Sequence, residues 1–512
     1  MSAPGGADQA RAIAARVVAA YQGSGIDADL IAESWEWHDP ISVGEEIAAA
    51  SPDAFGVLQE MRRAHPRPTR GTAEVERLKA NADPATMAEL ARVSSPSSDA
   101  EWAQASDQPP IIGGASHLSP SAALSECVEK FRSWLYMPDP AVLHAVLATY
   151  VANHLDGDPL WLLCVGPPSS GKTEIVNAVS HRPGVHQAAT ITEAALLSGT
   201  PKKQAASGSK GGLLRVIGDW GIIALKDFTS VLAQNRDTRS QVLAALREIF
   251  DGSWTRHVGT DGGRTLSWSG KVGLIGGCTP TIDRHHAVLS ALGDRFILLR
   301  LPDIDPEDVS RRAMAHIGRE REMRRALTAA VDSVVDAADT ADALRPLSEV
   351  EYERLRDLAI FAVRARSAVE RDGYSQDVLF LPEPEGPPRF LLSLRRLMGG
   401  LESIGCDDDE VWTVLGRVAL DSMPKVRRQL LDVLGGSTGQ PEPGGPVQTK
   451  DAATAADLPT STARRVLEDL NLLGLVVRSK VGAADNSADQ WALSEFTRRY
   501  GPSGVPEIPD GP

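Results

Sequence analysis

The chain is 512 residues long, 42% hydrophobic and 24% charged, with a formal net charge of −15. That length exceeds one ordinary core and predicts about two to four domains, of ordinary soluble-protein composition. The acidic balance excludes a generally basic surface, so nucleic-acid contact has to come from local patches working against the overall field.

The amino end, Met1-Ser2-Ala3-Pro4-Gly5-Gly6, lacks the basic and apolar regions of a signal peptide, and no apolar run is long enough to span a bilayer. A cytoplasmic location without a membrane partner is therefore expected. Cys127, Cys164, Cys278 and Cys406 are widely scattered, which argues against a disulfide framework. No Cys-x-x-Cys pair or Cys/His cluster along the sequence suggests zinc. Residues 7–95 read as short helices rich in Ala, Glu and Arg, broken by Pro and Gly. Within them Met61–Arg70 is locally basic, either a nucleic-acid arm or a solvated loop. Residues 94–110 have linker composition, so 1–118 form an amino-terminal helical region with its linker.

From 119 to 302 apolar strands alternate with helices, the pattern of an α/β domain whose parallel sheet is covered on both faces. Strands are predicted at Leu160–Val165, Gln187–Thr192, Gly221–Leu225, Val272–Ile275 and Phe296–Leu301. The first leads into Gly166-Pro167-Pro168-Ser169-Ser170-Gly171-Lys172-Thr173, which spells a phosphate-binding P-loop, and a helix follows. There backbone amides curl around phosphate oxygens at a helix N-terminus. Lys172 is placed to reach the β- and γ-phosphates of ATP, and the Thr173 hydroxyl to hold Mg²⁺.

The strand ending Leu225-Lys226-Asp227 puts an acid at the carboxyl edge, where it can hold Mg²⁺ or orient the attacking water. The usual form has two acids; Lys226 stands in the first place, so either Asp227 does both jobs or hydrolysis is slow. Residues 254–268 read as two β-rich arms around Asp261-Gly262-Gly263, a hairpin signal. Thr279 closes the next strand and is placed to touch the γ-phosphate or its water, or to cap a turn. Arg295, with Arg284 as runner-up, is placed to stabilise transition-state charge at a neighbouring subunit's site, a surface salt bridge being the plain alternative.

Residues 303–436 turn wholly helical, 437–446 are a second linker rich in Gly and Pro, and 501–512 read as a frayed tail. Between them, 447–500 shows a helix from Thr449 to Leu458, a second over Ser461–Leu470, and a β-wing. This resembles a winged helix-turn-helix, with Thr460, Ser461, Thr462, Arg464 and Arg465 facing DNA, although interspersed acids also fit a protein-binding module.

The order of P-loop, acid-ended strand, hairpin and Thr279 strand resembles the AAA+ ATPases over roughly residues 120–435. The likeness is to the branch of minichromosome-maintenance helicases and bacterial enhancer-binding activators, which carries a hairpin just before the Thr279-type strand. It implies an α/β ATPase core over 119–302 and a helical lid over 303–436. It also implies a ring-forming homo-oligomer, usually a hexamer. In the helicases the hairpin enters the pore and contacts DNA, a role that falls here to Arg256, His257 and Arg264. Residues 388–397 resemble the family's second sensor helix, which would bring Arg389, or Arg395 in its place, to the γ-phosphate. An activator-type loop for engaging a sigma factor is not visible. The reading is thus an ATP- and Mg²⁺-dependent oligomer acting on DNA, of helicase or replication-factor type. The alternative is a nucleotide-gated regulatory or assembly switch with slow hydrolysis.

Overall fold

The computed structural model describes residues 118–198, 212–258, 264–286, 289, 295–303, 305–372, 374, 377–381, 383–436, 445–480 and 488–501. The readings made on residues 1–117, on the hairpin tip at 259–263, on 437–444 and on 502–512 lie outside these. Among the described residues no helix is long and apolar enough to cross a membrane.

Helix α1, Pro120–Trp134, starts at Ser119, whose hydroxyl accepts the Ala122 amide, with Pro120 pre-set for the first turn. Helix α2, Ala141–Ala152, is buried at every residue. An all-round apolar helix of this kind is stable only inside a core. Strand β1 (Trp161–Val165) then leads through the P-loop to α3 (Lys172–Val179), β2 (Val185–Ala188), α4 (Glu193–Leu196), α5 (Leu213–Ile217) and β3 (Trp220–Leu225). After α6 (Thr229–Leu232) and α7 (Arg236–Phe250) come β4 (Ser253–Val258), β5 (Arg264–Ser269), β6 (Lys271–Cys278), a 3₁₀ turn over Pro280–His285, and β7 (Phe296–Arg300).

Five strands form one parallel sheet in the order β2-β3-β6-β1-β7. Alternate residues of β1 face opposite ways, as the strand period requires. Leu162 and Cys164 join the core under α1–α3, whereas Trp161, Leu163 and Val165 join the core beneath α4–α7 and the β4–β5 pair. Both faces are therefore covered, which is why the strands read as continuous apolar runs.

Two strands differ from expectation by more than one residue at an end. β2 ends at Ala188 rather than at Thr192, because Thr192 caps α4 by accepting the Ala195 amide. β6 runs on to Cys278, because Gly276 and Gly277 stay in register with Leu163 and Cys164 of β1.

The following region packs α8 (Pro306–Ala315), α9 (Glu320–Ala337), α10 (Glu349–Ala365), α11 (Pro388–Ser403), α12 (Asp408–Asp421) and α13 (Lys425–Gly435). It is not wholly helical: β8 (Glu370–Arg371) and β9 (Val378–Phe380) form an antiparallel pair between α10 and α11. Gly400 lets α11 cross α2 at backbone distance, since a Cβ there would lie 2.2 Å from the Ala148 carbonyl oxygen. Buried Arg300, at the end of β7, donates through its backbone amide to Asp421 and through its guanidinium to Asp283, tying the sheet to α12.

The last segment holds β10 (Val447–Gln448), α14 (Thr449–Ala455), α15 (Thr460–Leu472), β11 (Val476–Lys480), β12 (Asp489–Leu493) and α16 (Glu495–Tyr500). Its strands form an antiparallel sheet in the order β10-β12-β11 around fully buried Trp491, whose indole donates to Thr449.

Candidate functional site

Register brings the sequence-predicted groups to one edge. Val165 of β1 pairs with Cys278 of β6 and Arg300 of β7, and Leu225 of β3 pairs with Gly276. The P-loop, Asp227 and Thr279 therefore all leave the sheet at its carboxyl edge, beside β1, where the strand order reverses; open parallel sheets bind ligands in such crevices.

The Gly166 amide donates to the Cys278 carbonyl at 3.0 Å, fastening the start of the P-loop to β6. Pro167, Pro168 and Ser169 are exposed. Ser169 is held at φ +63°, a left-handed conformation costly for a side-chain-bearing residue. Gly171, at φ +81°, caps α3 with open space on its Cβ side, so glycine is required there by backbone conformation rather than by crowding. Helix geometry leaves the first amides of α3 without intrahelical acceptors, aimed out of its N-terminus.

Lys172 is only 8% exposed. Its Nζ donates to the Gly166 carbonyl at 2.8 Å, to the Pro167 carbonyl at 2.5 Å and to Ser170 Oγ at 3.1 Å. Burial lowers its pKa from the ordinary lysine value, and the Asp227 carboxylate works in the opposite direction. Thr173 beside it is exposed.

Asp227 is exposed, and its Oδ1 accepts the Thr229 amide at 2.8 Å. Buried Phe228 donates its amide to the Gly277 carbonyl at 2.7 Å, pinning the end of β3 to β6. Gly277 permits this approach: a Cβ there would stand 2.9 Å from the Lys226 carbonyl oxygen and 3.8 Å from Lys172 Cβ. Lys226 itself points to solvent.

The residue that sequence reasoning missed is Thr229. Its hydroxyl accepts the Thr279 amide at 3.0 Å and lies 3.1 Å from the Thr279 hydroxyl. One hydroxyl thus joins the segment after the acid strand to the segment after β6. The available signal was local: Asp227-Phe228-Thr229 has the Asp-x-Thr form in which an aspartate accepts the amide two residues on, starting a turn.

The remaining residues lie elsewhere. Arg295 immediately precedes β7, at the amino edge, one strand length of about 16 Å from the carboxyl edge of its own chain. Its guanidinium pairs with Asp251 at 2.8 Å and covers the Phe250 ring at 5.4 Å. Arg284 is exposed in the 3₁₀ turn after Thr279. Arg389 pairs with Glu385 at 2.5 Å, while Arg395 donates to the carbonyls of Ala343 and Arg345.

In the β4–β5 hairpin Arg256 pairs with Glu193 at 2.9 Å and donates to the Leu197 carbonyl. His257 is exposed, its Nδ1 3.1 Å from the Thr265 hydroxyl, and Arg264 pairs through its backbone with Val258. Trp254 and Trp268 lie opposite each other and are buried, and the Trp268 indole donates to Gly218, so the hairpin base is rooted in the core. On α15, Arg464 pairs with Asp489 at 3.2 Å, and Arg465 donates to the Ser461 carbonyl.

No family model and no curated protein matches this chain. Among solved structures it is similar to a proposed ATPase from Cytophaga hutchinsonii, at 14% identity over 59% of this chain and 86% of the other, with a TM-score of 0.35. It is also similar to the active helicase Cch of SCCmec type IV, at 11% identity over 78% and 75% of the two chains, with a TM-score of 0.29. The Aeropyrum pernix ORC1 protein, solved in complex with DNA, matches at 14% identity over 75% and 90%, with a TM-score of 0.20. Likeness this distant carries no function.

Proposed function

We propose that the chain is an oligomeric AAA+-type ATPase that acts on DNA, with ATP bound at the carboxyl edge of the parallel sheet. The observation that carries this reading is the meeting of the P-loop, Asp227 and the Thr229–Thr279 hydroxyl pair at that edge. The loop amides and the N-terminus of α3 cradle the phosphates. Lys172 exchanges the carbonyls of Gly166 and Pro167 for β- and γ-phosphate oxygens. The exposed Thr173 hydroxyl and Asp227 carboxylate are hard oxygen donors of the kind Mg²⁺ prefers, and they would hold it. Held there, Mg²⁺ would supply positive charge to offset the negative charge that develops on the phosphate in hydrolysis. Asp227 orients the attacking water, and Thr279, positioned by Thr229, contacts the γ-phosphate or that water.

Arg295 at the amino edge supports a role on a neighbouring subunit's nucleotide rather than its own, which requires a ring or filament. Arg389 serves as the second sensor after leaving Glu385. In this scheme 119–302 is the ATPase core, 303–436 the lid and 447–500 a winged helix, with α15 as recognition helix and β11–β12 as wing. Arg256, His257 and Arg264 of the hairpin, and Arg464 and Arg465 of α15, are the DNA contacts. Arg256 and Arg464 each give up a carboxylate partner to make them.

Lys226 favours a second reading, a slowly hydrolysing nucleotide-gated switch, because it puts an exposed cation where the usual site has its first acid. Steady-state ATPase activity with and without single- and double-stranded DNA, beside Lys172→Ala, separates the two. Strong DNA stimulation that vanishes in the variant supports a motor. ATP binding with negligible turnover under every condition overturns the motor in favour of the switch.

A further inference from the structure

Away from the nucleotide edge, three potential metal ligands converge where α2 meets the turn between α11 and α12. His144, Cys406 and Glu410 each offer one ligand atom, all within 4.8 Å of one another. His144 is 2% exposed, and its Nε2 has no hydrogen-bond partner. A buried polar atom left unpaired is costly and calls for a physical explanation. Cys406 is a free thiol, and Glu410 uses Oε2 to accept the Asp407 amide at 3.0 Å, leaving its other oxygen for a second partner.

We infer that His144, Cys406 and Glu410 form a three-ligand zinc site that fastens the α11–α12 turn to α2. A thiolate, an imidazole and a carboxylate together suit Zn²⁺ and not Mg²⁺ or Ca²⁺, which take oxygen ligands. With zinc–ligand bonds of about 2.0–2.3 Å, tetrahedral geometry sets the ligand atoms roughly 3.3–3.8 Å apart. Closing from 4.8 Å therefore needs only side-chain adjustment. Asp407 is committed as the cap of α12, accepting the Glu410 amide at 2.8 Å, so water takes the fourth position. On binding, the Cys406 thiol gives its proton to solvent and a sulfur–zinc bond forms, with no change of oxidation state. The turn is already confined on its other side: Gly405, at φ +90°, passes so close to α1 that a Cβ would lie 2.3 Å from the Ser121 amide nitrogen.

The test uses the full chain, stripped with a chelator, given zinc chloride, desalted and analysed for metal by mass spectrometry. One zinc per chain is expected. Cobalt chloride in its place should give a sulfur-to-cobalt charge-transfer band and tetrahedral d–d absorption. Cys406→Ser should abolish that band, and Glu410→Gln, which keeps an oxygen for the cap, should weaken zinc binding at least about tenfold. The metal-free melting temperature of Glu410→Gln reports whether it folds. No retained zinc, or equal retention by folded wild type and both variants, overturns the site. These readouts do not involve ATP, so their outcome is independent of the proposed ATPase activity.

Discussion

Replacing Thr229 by valine keeps the shape of the side chain and removes the hydroxyl that joins the acid strand to Thr279. In the folded chain that oxygen accepts the Thr279 amide at 3.0 Å and pairs with its hydroxyl at 3.1 Å. A methyl group there leaves a half-buried amide without its acceptor, a loss of about 1–3 kcal/mol. If that energy holds Thr279 in place during hydrolysis, kcat falls by roughly 5- to 150-fold, at 1.4 kcal/mol per factor of ten. The P-loop is untouched, so affinity for a non-hydrolysable ATP analogue stays within about twofold of wild type, as uniform binding is retained. The assay pairs steady-state turnover with calorimetric binding for Thr229→Val, Thr279→Ala and the double variant. The double variant should lose little beyond Thr279→Ala alone, because the two side chains act as one unit. Wild-type turnover in Thr229→Val would refute the assignment of Thr279 to the reaction through Thr229.

Four further outcomes are expected. Gly277→Ala sets a methyl 2.9 Å from the Lys226 carbonyl oxygen, so nucleotide binding should weaken and unfolding should come at least about 1 kcal/mol earlier, read by ligand titration and denaturant melts. Lys226→Asp supplies the missing first acid and should raise turnover severalfold; an unchanged or lower rate sinks the idea that Lys226 restrains hydrolysis. Asp421→Ala leaves the buried Arg300 amide without its acceptor and takes from Arg428 one of its two carboxylate partners, so a loss of about 1–3 kcal/mol is expected in chemical denaturation. His154 is held to a pKa of about 4 by burial, with Lys271 and Arg182 adding to the shift against a hydrogen bond to the Tyr150 carbonyl. Because the folded-state pKa lies below the unfolded 6.5, the unfolded chain binds the proton first, and stability present above pH 6.5 is lost as pH falls towards 4. Between pH 7 and pH 5 this amounts to about 2 kcal/mol, which His154→Phe should remove from the wild-type difference.

What the sequence by itself determined is local. The apolar run Leu160–Val165 followed by a P-loop and a helical pattern was enough to place β1, the loop and α3, because strand burial, backbone conformation and helix initiation are each set within a few residues. Asp227 and Thr279 were legible as strand-end residues for the same reason. Tertiary structure decided how these pieces face one another. Only the β3-β6-β1 order shows that Gly277 is what lets the chain leaving β3 at Lys226 pass closely against β6. Only the fold puts the Thr229 hydroxyl on Thr279, since a contact across fifty residues of chain leaves no period or spacing to read. Cys406 looked chemically isolated along the chain, and it gains His144 as a neighbour because Gly400 lets α11 and α2 close to backbone distance. Arg295 was legible as an arginine for a neighbouring subunit's site or as one side of a salt bridge, and only the register shows that it lies at the amino edge, paired with Asp251. Side-chain partners reached through packing depend on the whole arrangement of layers, and no local stretch of sequence encodes that.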